Sequence, residues 1–74
     1  MNANEWIGEF AKLLGTEPPG EEETGEILEL AATAAHASER IAAPLACWLA
    51  GRDGRPLAEL RAIADEVGPQ GAGE

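Results

Sequence analysis

Residues 35–51 read AHASERIAAPLACWLAG, and this stretch decides how the helices of the chain can be arranged. It holds the only histidine, the only cysteine and one of the two tryptophans. Pro44 cannot lie inside a continuing helix, but its fixed backbone angle suits the first turn of a new one. The stretch therefore predicts the end of one helix, a loosened segment at residues 41–43, and the start of another.

Apolar side chains recur at helical spacing on the carboxyl side of this break. The positions i, i+4, i+7 and i+8 are Ile41, Leu45, Trp48 and Leu49. Such spacing is typical of the buried stripe of an amphipathic helix, so we expect Trp48 to lie in the core. Gly51 follows the last apolar position and is expected to end the helix.

The preceding helix is expected to run from about residue 22 to residue 39 or 40. Three glutamates, residues 21–23, lie at its start, where negative charge complements the helix dipole. Its inner stripe is predicted to be Ile27, Leu30, Ala31, Ala34, Ala35 and Ser38. Because much of this stripe is alanine, a neighbouring helix can approach closely.

Two further helices flank this pair. The first is expected over residues 3–14, capped by Asn2 or Asn4 and ended by Gly15. Its predicted buried stripe is Trp6, Phe10, Leu13 and Leu14. The last is expected from Pro56 to about residue 67, after a turn built on Asp53 and Gly54. The sequence thus predicts an all-α, compact four-helix domain over residues 1–68, with short connections and a flexible tail at residues 69–74.

Composition excludes several classes of function. The 74 residues allow one domain, and its net charge is −9, from 14 acidic and 5 basic side chains. So few lysines and arginines argue against binding to nucleic acid or to an anionic membrane. With neither a signal peptide nor an apolar span in the sequence, we expect a cytoplasmic protein. A domain this small is marginally stable alone, which makes a partner protein or a homo-oligomer plausible.

Four side chains are candidates for binding a partner or an anion: His36, Arg40, Arg52 and Arg55. On the predicted second helix, Glu29, Thr33, His36 and Arg40 are spaced to form one polar strip. Arg52 and Arg55 flank a turn that leads into a helix amino terminus, a place that favours anions. The alternative is structural: a solvated histidine, and arginines that cap helices or pair with glutamates.

The sequence contains few residues that could support catalysis or metal binding. His36 and Cys47 are the only soft metal ligands, whereas a zinc site usually takes four ligands. We therefore expect no metal, no cofactor and no catalytic residue, with Cys47 a small buried side chain. A hydrolase that uses His36 and Cys47 is a further alternative, but the sequence offers no recognisable oxyanion-stabilising group.

The chain resembles a small helical domain family of actinobacteria. The resemblance lies in Trp6, in the pair Leu14–Gly15 and in the segment ILELAATAAHASERIAAPLACWLAGR. Its members occur alone or fused to molybdenum-cofactor guanylyltransferase, the enzyme that joins GMP to molybdopterin. The matching positions are Ala35, His36, Arg40, Ala42, Ala43, Pro44, Leu45 and Gly51, while Ile41 stands where the family pattern has proline. The resemblance covers about two thirds of the chain and implies that His36 and Arg40 matter beyond packing.

The leading hypothesis is a non-catalytic accessory module of molybdenum-cofactor maturation. On this hypothesis it binds a partner enzyme, or an anionic pterin or nucleotide, through His36, Arg40 and the third helix. The alternative is a general protein-interaction or oligomerisation domain without a small ligand.

Overall fold

A computed structural model describes residues 1–68, and within them the chain forms four helices and no strand. The helices are α1 (Ala3–Leu14), α2 (Glu21–Ala37), α3 (Ala42–Asp53) and α4 (Leu57–Val67). The prediction of an all-α domain of four helices with short connections is confirmed. The predicted tail, residues 69–74, lies outside the described residues.

Side chains and glycines fix the ends of α1 as the sequence indicates. Asn2 is the amino-terminal cap: its Oδ1 accepts from the Glu5 N–H at 2.8 Å, while its own N–H donates to Glu5 Oε1 at 2.9 Å. At the other end Gly15 adopts φ +77°, and the Thr16 N–H reaches back to the Ala11 carbonyl at 3.0 Å. Both ends of α1 thereby satisfy backbone groups that the helix leaves unpaired.

Two predicted helix ends are wrong. Helix α2 ends at Ala37, so Arg40 lies in the connection to α3 and not on the helix. Helix α3 continues through Gly51 to Asp53 and ends at Gly54, which adopts φ +85°. Of these two glycines, Gly54 is the one in the left-handed conformation that terminates a helix, and Gly51 lies exposed within α3.

Helix α2 is the centre of the domain, and α3 and α4 both pack against it. The buried positions include Leu30 of α2 and Ala50 of α3, with Ala43 and Ala46 half-buried. Alanine side chains at this contact let the two backbones approach closely, as the alanine content of α2 predicts. The side of α3 that meets α2 is therefore its alanine side.

Helix α1 is more loosely attached than α3 and α4. Its contacts with the other helices are few, and Ala11 is its one buried residue. Between α1 and α2 lies a hollow lined by Ile7 and Leu14 on one side and by Thr24 and Leu28 on the other. The resulting molecule is elongated, with extents of 44 × 25 × 18 Å over the described residues.

The predicted burial of Trp48 is wrong, since this side chain is 61% exposed. The other members of its stripe, Ile41, Leu45 and Leu49, are also exposed. The stripe predicted for α1 is exposed as well: Trp6, Phe10, Leu13 and Leu14. In α3 the reason is that both sides of the helix are apolar, and the smaller side chains allow the closer contact with α2. In α1 the reason is that α2 buries only Ala11 and leaves an open hollow beside Phe10 and Leu14.

Candidate functional site

The outward side of α3 carries a row of exposed side chains, here called the α3 face: Ile41, Leu45, Trp48 and Arg52. Their spacing of i, i+4, i+7 and i+11 places them on one side of the helix, opposite the alanines that meet α2. Ile41 is the residue immediately before α3, and Arg52 lies in its last turn. Contiguous apolar groups rimmed by polar ones are typical of interaction surfaces in soluble proteins.

The tryptophan and the arginine of the α3 face are in contact with one another. The guanidinium carbon of Arg52 lies 5.1 Å from the centroid of the Trp48 ring. This distance is within the range of a cation–π interaction. Tryptophan and arginine are also the residue types that contribute most often to binding hot spots.

Three arginines lie at the two ends of the α3 face. Arg40 precedes Ile41, and Arg55 follows the helix. Arg55 pairs with Asp53, with Nε and Oδ2 3.2 Å apart, so part of its charge is compensated within the turn. Within residues 1–68, Arg40 and Arg52 form no ion pair. The α3 face is therefore an apolar row with a positive charge near each end, on a chain that is acidic as a whole.

The four residues of the predicted polar strip do not form one continuous surface in the structure. Glu29 pairs with Arg61 of α4. Thr33 and His36 line a shallow hollow with Asp65 of α4. Arg40 lies beyond the end of the helix, so the helical spacing that placed it with His36 does not extend that far. The structure thus brings His36 toward α4 and places Arg40 at the start of the α3 face.

Arg61 is a structurally important residue that the sequence patterns did not single out. Its Nη1 donates to Glu26 Oε1 at 2.9 Å, and its Nη2 contacts Glu29, so it connects α4 to two turns of α2. The hydrogen bond to Glu26 raises the pKa of Arg61, and the charge of Glu29 adds to the effect. The sequence feature that could have indicated this role is the pair of glutamates three residues apart on α2, Glu26 and Glu29. Two neighbouring carboxylates on one side of a helix favour a cationic side chain on the helix packed against it.

A second surface lies between α3 and α4, which diverge from their common support on α2. The apolar groove between them, here called the α3–α4 groove, is lined by Ala46, Leu49, Leu60, Ile63 and Ala64. Leu30 forms part of its floor, and Arg52 and Arg55 lie at one end. The α3–α4 groove is therefore an apolar surface that no other side chain among residues 1–68 covers.

The third apolar surface is a row of exposed side chains on α1, here called the α1 stripe: Trp6, Phe10 and Leu13, of which Phe10 also borders the hollow between α1 and α2. The Trp6 and Phe10 rings lie 5.3 Å apart with their planes tilted by 35°, a favourable arrangement for an aromatic pair. Leu13 is 87% exposed. Large side chains of this kind on the open side of a helix are candidates for contact with another molecule.

Potential metal ligands are not clustered in the described part of the chain. Across residues 1–68, no three histidine, cysteine, aspartate or glutamate side chains converge in a way that could hold a metal ion. Cys47 is half-buried on α3, and no hydrogen bond joins it to His36. None of the four helices is both long and apolar enough to cross a membrane.

Comparison with known families identifies the chain. The family model described as "Domain of unknown function (DUF6457)" matches residues 1–68. The chain belongs to this family. No curated protein and no solved structure matches the sequence. The match agrees with the expected small domain family, while an actinobacterial origin and a fusion to molybdenum-cofactor guanylyltransferase stay predictions from the resemblance of Trp6, Leu14–Gly15 and residues 27–52.

Proposed function

We propose that this DUF6457 domain is a non-catalytic interaction module that docks onto a partner protein through its α3 face. The observation that carries the proposal is the exposure of Trp48 in contact with Arg52, between the apolar side chains of Ile41 and Leu45. Leaving these side chains in water is unfavourable, and covering them with a partner removes apolar area from solvent. Because Trp48 and Arg52 are already in contact with one another, we expect binding to cost less side-chain entropy than for two separate side chains.

The charges at the ends of the α3 face indicate the chemistry of the partner. Arg40 and Arg52 favour a partner surface that places carboxylate or phosphate groups on either side of an apolar centre. The sequence resemblance suggests a partner enzyme of molybdenum-cofactor maturation, with molybdenum-cofactor guanylyltransferase as the first candidate. The same arginines, with Arg55 and His36, are the groups that would hold an anionic pterin or nucleotide in the variant of this proposal that includes a ligand.

Calorimetric titration of the protein with a molybdenum-cofactor guanylyltransferase tests the docking surface. We expect Trp48→Ala to weaken binding about tenfold or more, as truncation of a hot-spot residue does. Leu28→Ala is the matched control, because Leu28 is as exposed as Trp48 but lies on α2. Wild-type affinity for the Trp48 variant would refute docking through the α3 face. If the enzyme does not bind at all, the assignment to molybdenum-cofactor maturation fails.

A second titration separates a recognition role for His36 and Arg40 from a structural one. We expect His36→Ala and Arg40→Ala to weaken binding of the enzyme or of GMP while leaving the urea midpoint nearly unchanged, because both side chains are exposed. If Arg40 instead ties the end of α2 to an acid or to exposed carbonyls, its truncation should lower the free energy of unfolding by about 1–3 kcal/mol. Normal binding by both variants, or a loss of binding no larger than the loss of stability, would remove these residues from the site.

A further inference from the structure

We infer that the chain forms a twofold homodimer in which the α1 stripe of each copy occupies the α3–α4 groove of the other. The two surfaces are complementary in type: one is a convex row of large apolar side chains, and the other is an apolar groove between two helices. The groove shares Leu45 and Arg52 with the α3 face. The inference does not rest on the proposed function, because it is tested at Leu13 and Ile63, which lie outside the α3 face.

The dimensions of the two surfaces agree. Helix α1 has 12 residues, and the helices that border the groove have 12 and 11. At about 1.5 Å per residue, each is roughly 16–18 Å long, so α1 can lie along the whole groove. The residues that line the groove are mostly small or of medium size, which leaves room for the rings of Trp6 and Phe10.

Charge favours the same pairing. The side of α1 next to the stripe carries Glu5 and Glu9, both exposed. The groove ends at Arg52, Asp53 and Arg55, and Asp53 pairs with Arg55. A docked α1 would therefore bring its carboxylates toward the guanidinium group of Arg52, which helps to set the direction of the helix in the groove.

Within one chain the two surfaces do not meet. Helix α1 lies against the side of α2 that carries Thr24 and Leu28, whereas Glu26 and Glu29 mark the side where α4 packs. To reach its own groove, α1 would have to leave this position and pass around α2. A second copy can offer its α1 stripe without any such change.

The area is sufficient for a stable dimer. Covering the exposed parts of Trp6, Phe10 and Leu13 removes on the order of 400 Å² of surface from each α1. Because a twofold dimer makes this contact twice and the grooves are covered equally, the total approaches roughly 1,600 Å², the usual size of a specific interface. A single contact of this kind with another protein would bury only about half as much.

The test uses the full chain and two charge-inserting variants, measured by light scattering after size exclusion. We expect wild type to have twice the 7.7 kDa chain mass at submillimolar concentration. Leu13→Glu on the stripe and Ile63→Glu in the groove should each be monomeric. Ile41→Glu, an equal change on the α3 face outside the groove, should remain a dimer. Circular dichroism checks that every variant keeps its helices, and Ile63→Ser replaces Ile63→Glu if the latter unfolds.

Mixing the two monomeric variants can re-form at most one of the two contacts, between the intact groove of Leu13→Glu and the intact stripe of Ile63→Glu. Because this single contact buries about half of the dimer's area, we expect heterodimer only at concentrations well above those at which wild type dimerises. A wild-type monomer across the whole concentration range overturns the inference and points to another protein as occupant. A dimer that persists in both variants overturns it as well. None of these outcomes alters the titration of Trp48→Ala with the guanylyltransferase.

Discussion

At the scale of single residues, a few side chains stabilise this fold, and they are not the largest ones. Leu30 is buried at 4% exposure beneath α3 and α4, whereas both tryptophans are more than half exposed. Arg61 joins α4 to α2 through Glu26 and Glu29. The core is therefore made of one leucine and several alanines, and Arg61 joins α4 to α2 at the surface, while the aromatic side chains are available for contact with other molecules.

Leu30→Ala is expected to destabilise the domain by about 2–5 kcal/mol, because truncating a buried leucine loses its transfer free energy and leaves a cavity. Urea unfolding followed by circular dichroism measures the change. Leu28→Ala is the control: Leu28 is 62% exposed on the same helix, and its truncation should cost less than about 1 kcal/mol. Equal losses for the two variants would mean that Leu30 is not the centre of the core.

At the scale of the helices, the sequence predicts which helices form more reliably than it predicts where each helix ends. All four helices were evident from spacing and caps, and Asn2, Gly15 and Pro56 mark their ends as expected. The end of α3 was predicted at Gly51 but lies at Gly54. Sequence alone cannot choose between two glycines three residues apart, because the choice depends on which one takes positive φ.

The two glycines should respond oppositely to alanine. Gly51 is exposed within α3, and a Cβ added there would meet open space, so Gly51→Ala should stabilise the protein by about 0.5–1 kcal/mol. Gly54 has φ +85°, where a Cβ is strained, so Gly54→Ala should destabilise it by about 1–2 kcal/mol. Thermal melting of both variants compares them directly. Stabilisation by Gly54→Ala would show that α3 ends elsewhere.

At the scale of the whole molecule, exposed apolar side chains form three surfaces: the α3 face, the α3–α4 groove and the α1 stripe. Helical periodicity located the apolar positions of α1 and α3 correctly but could not say which of them would be covered. In α3, alanines occupy the side opposite Trp48, and the closer approach that they permit decides which side meets α2. The candidate site was predictable only in part, because the contact of Trp48 with Arg52 and the groove beside α4 depend on how α3 is rotated on α2.

Folding of the whole chain is expected to be independent of metal ions, since no cluster of potential ligands exists among residues 1–68. Circular dichroism spectra and melting curves recorded with and without EDTA should coincide. A loss of helical signal on chelation, restored by adding zinc, would show that a metal ion stabilises the fold and would reopen the roles of His36 and Cys47.

The alanine contact between α2 and α3 has a consequence for how this sequence can change over evolutionary time. Where a core is made of bulky side chains, the harmful replacements are those that remove atoms. At Ala50, which is 9% exposed on the side of α3 that packs on α2, the harmful replacements are those that add atoms, because overpacking forces the helices apart. We therefore expect the lineage to accept glycine or serine at this position and to reject valine and leucine, while tolerating wide variation at exposed sites such as Leu28.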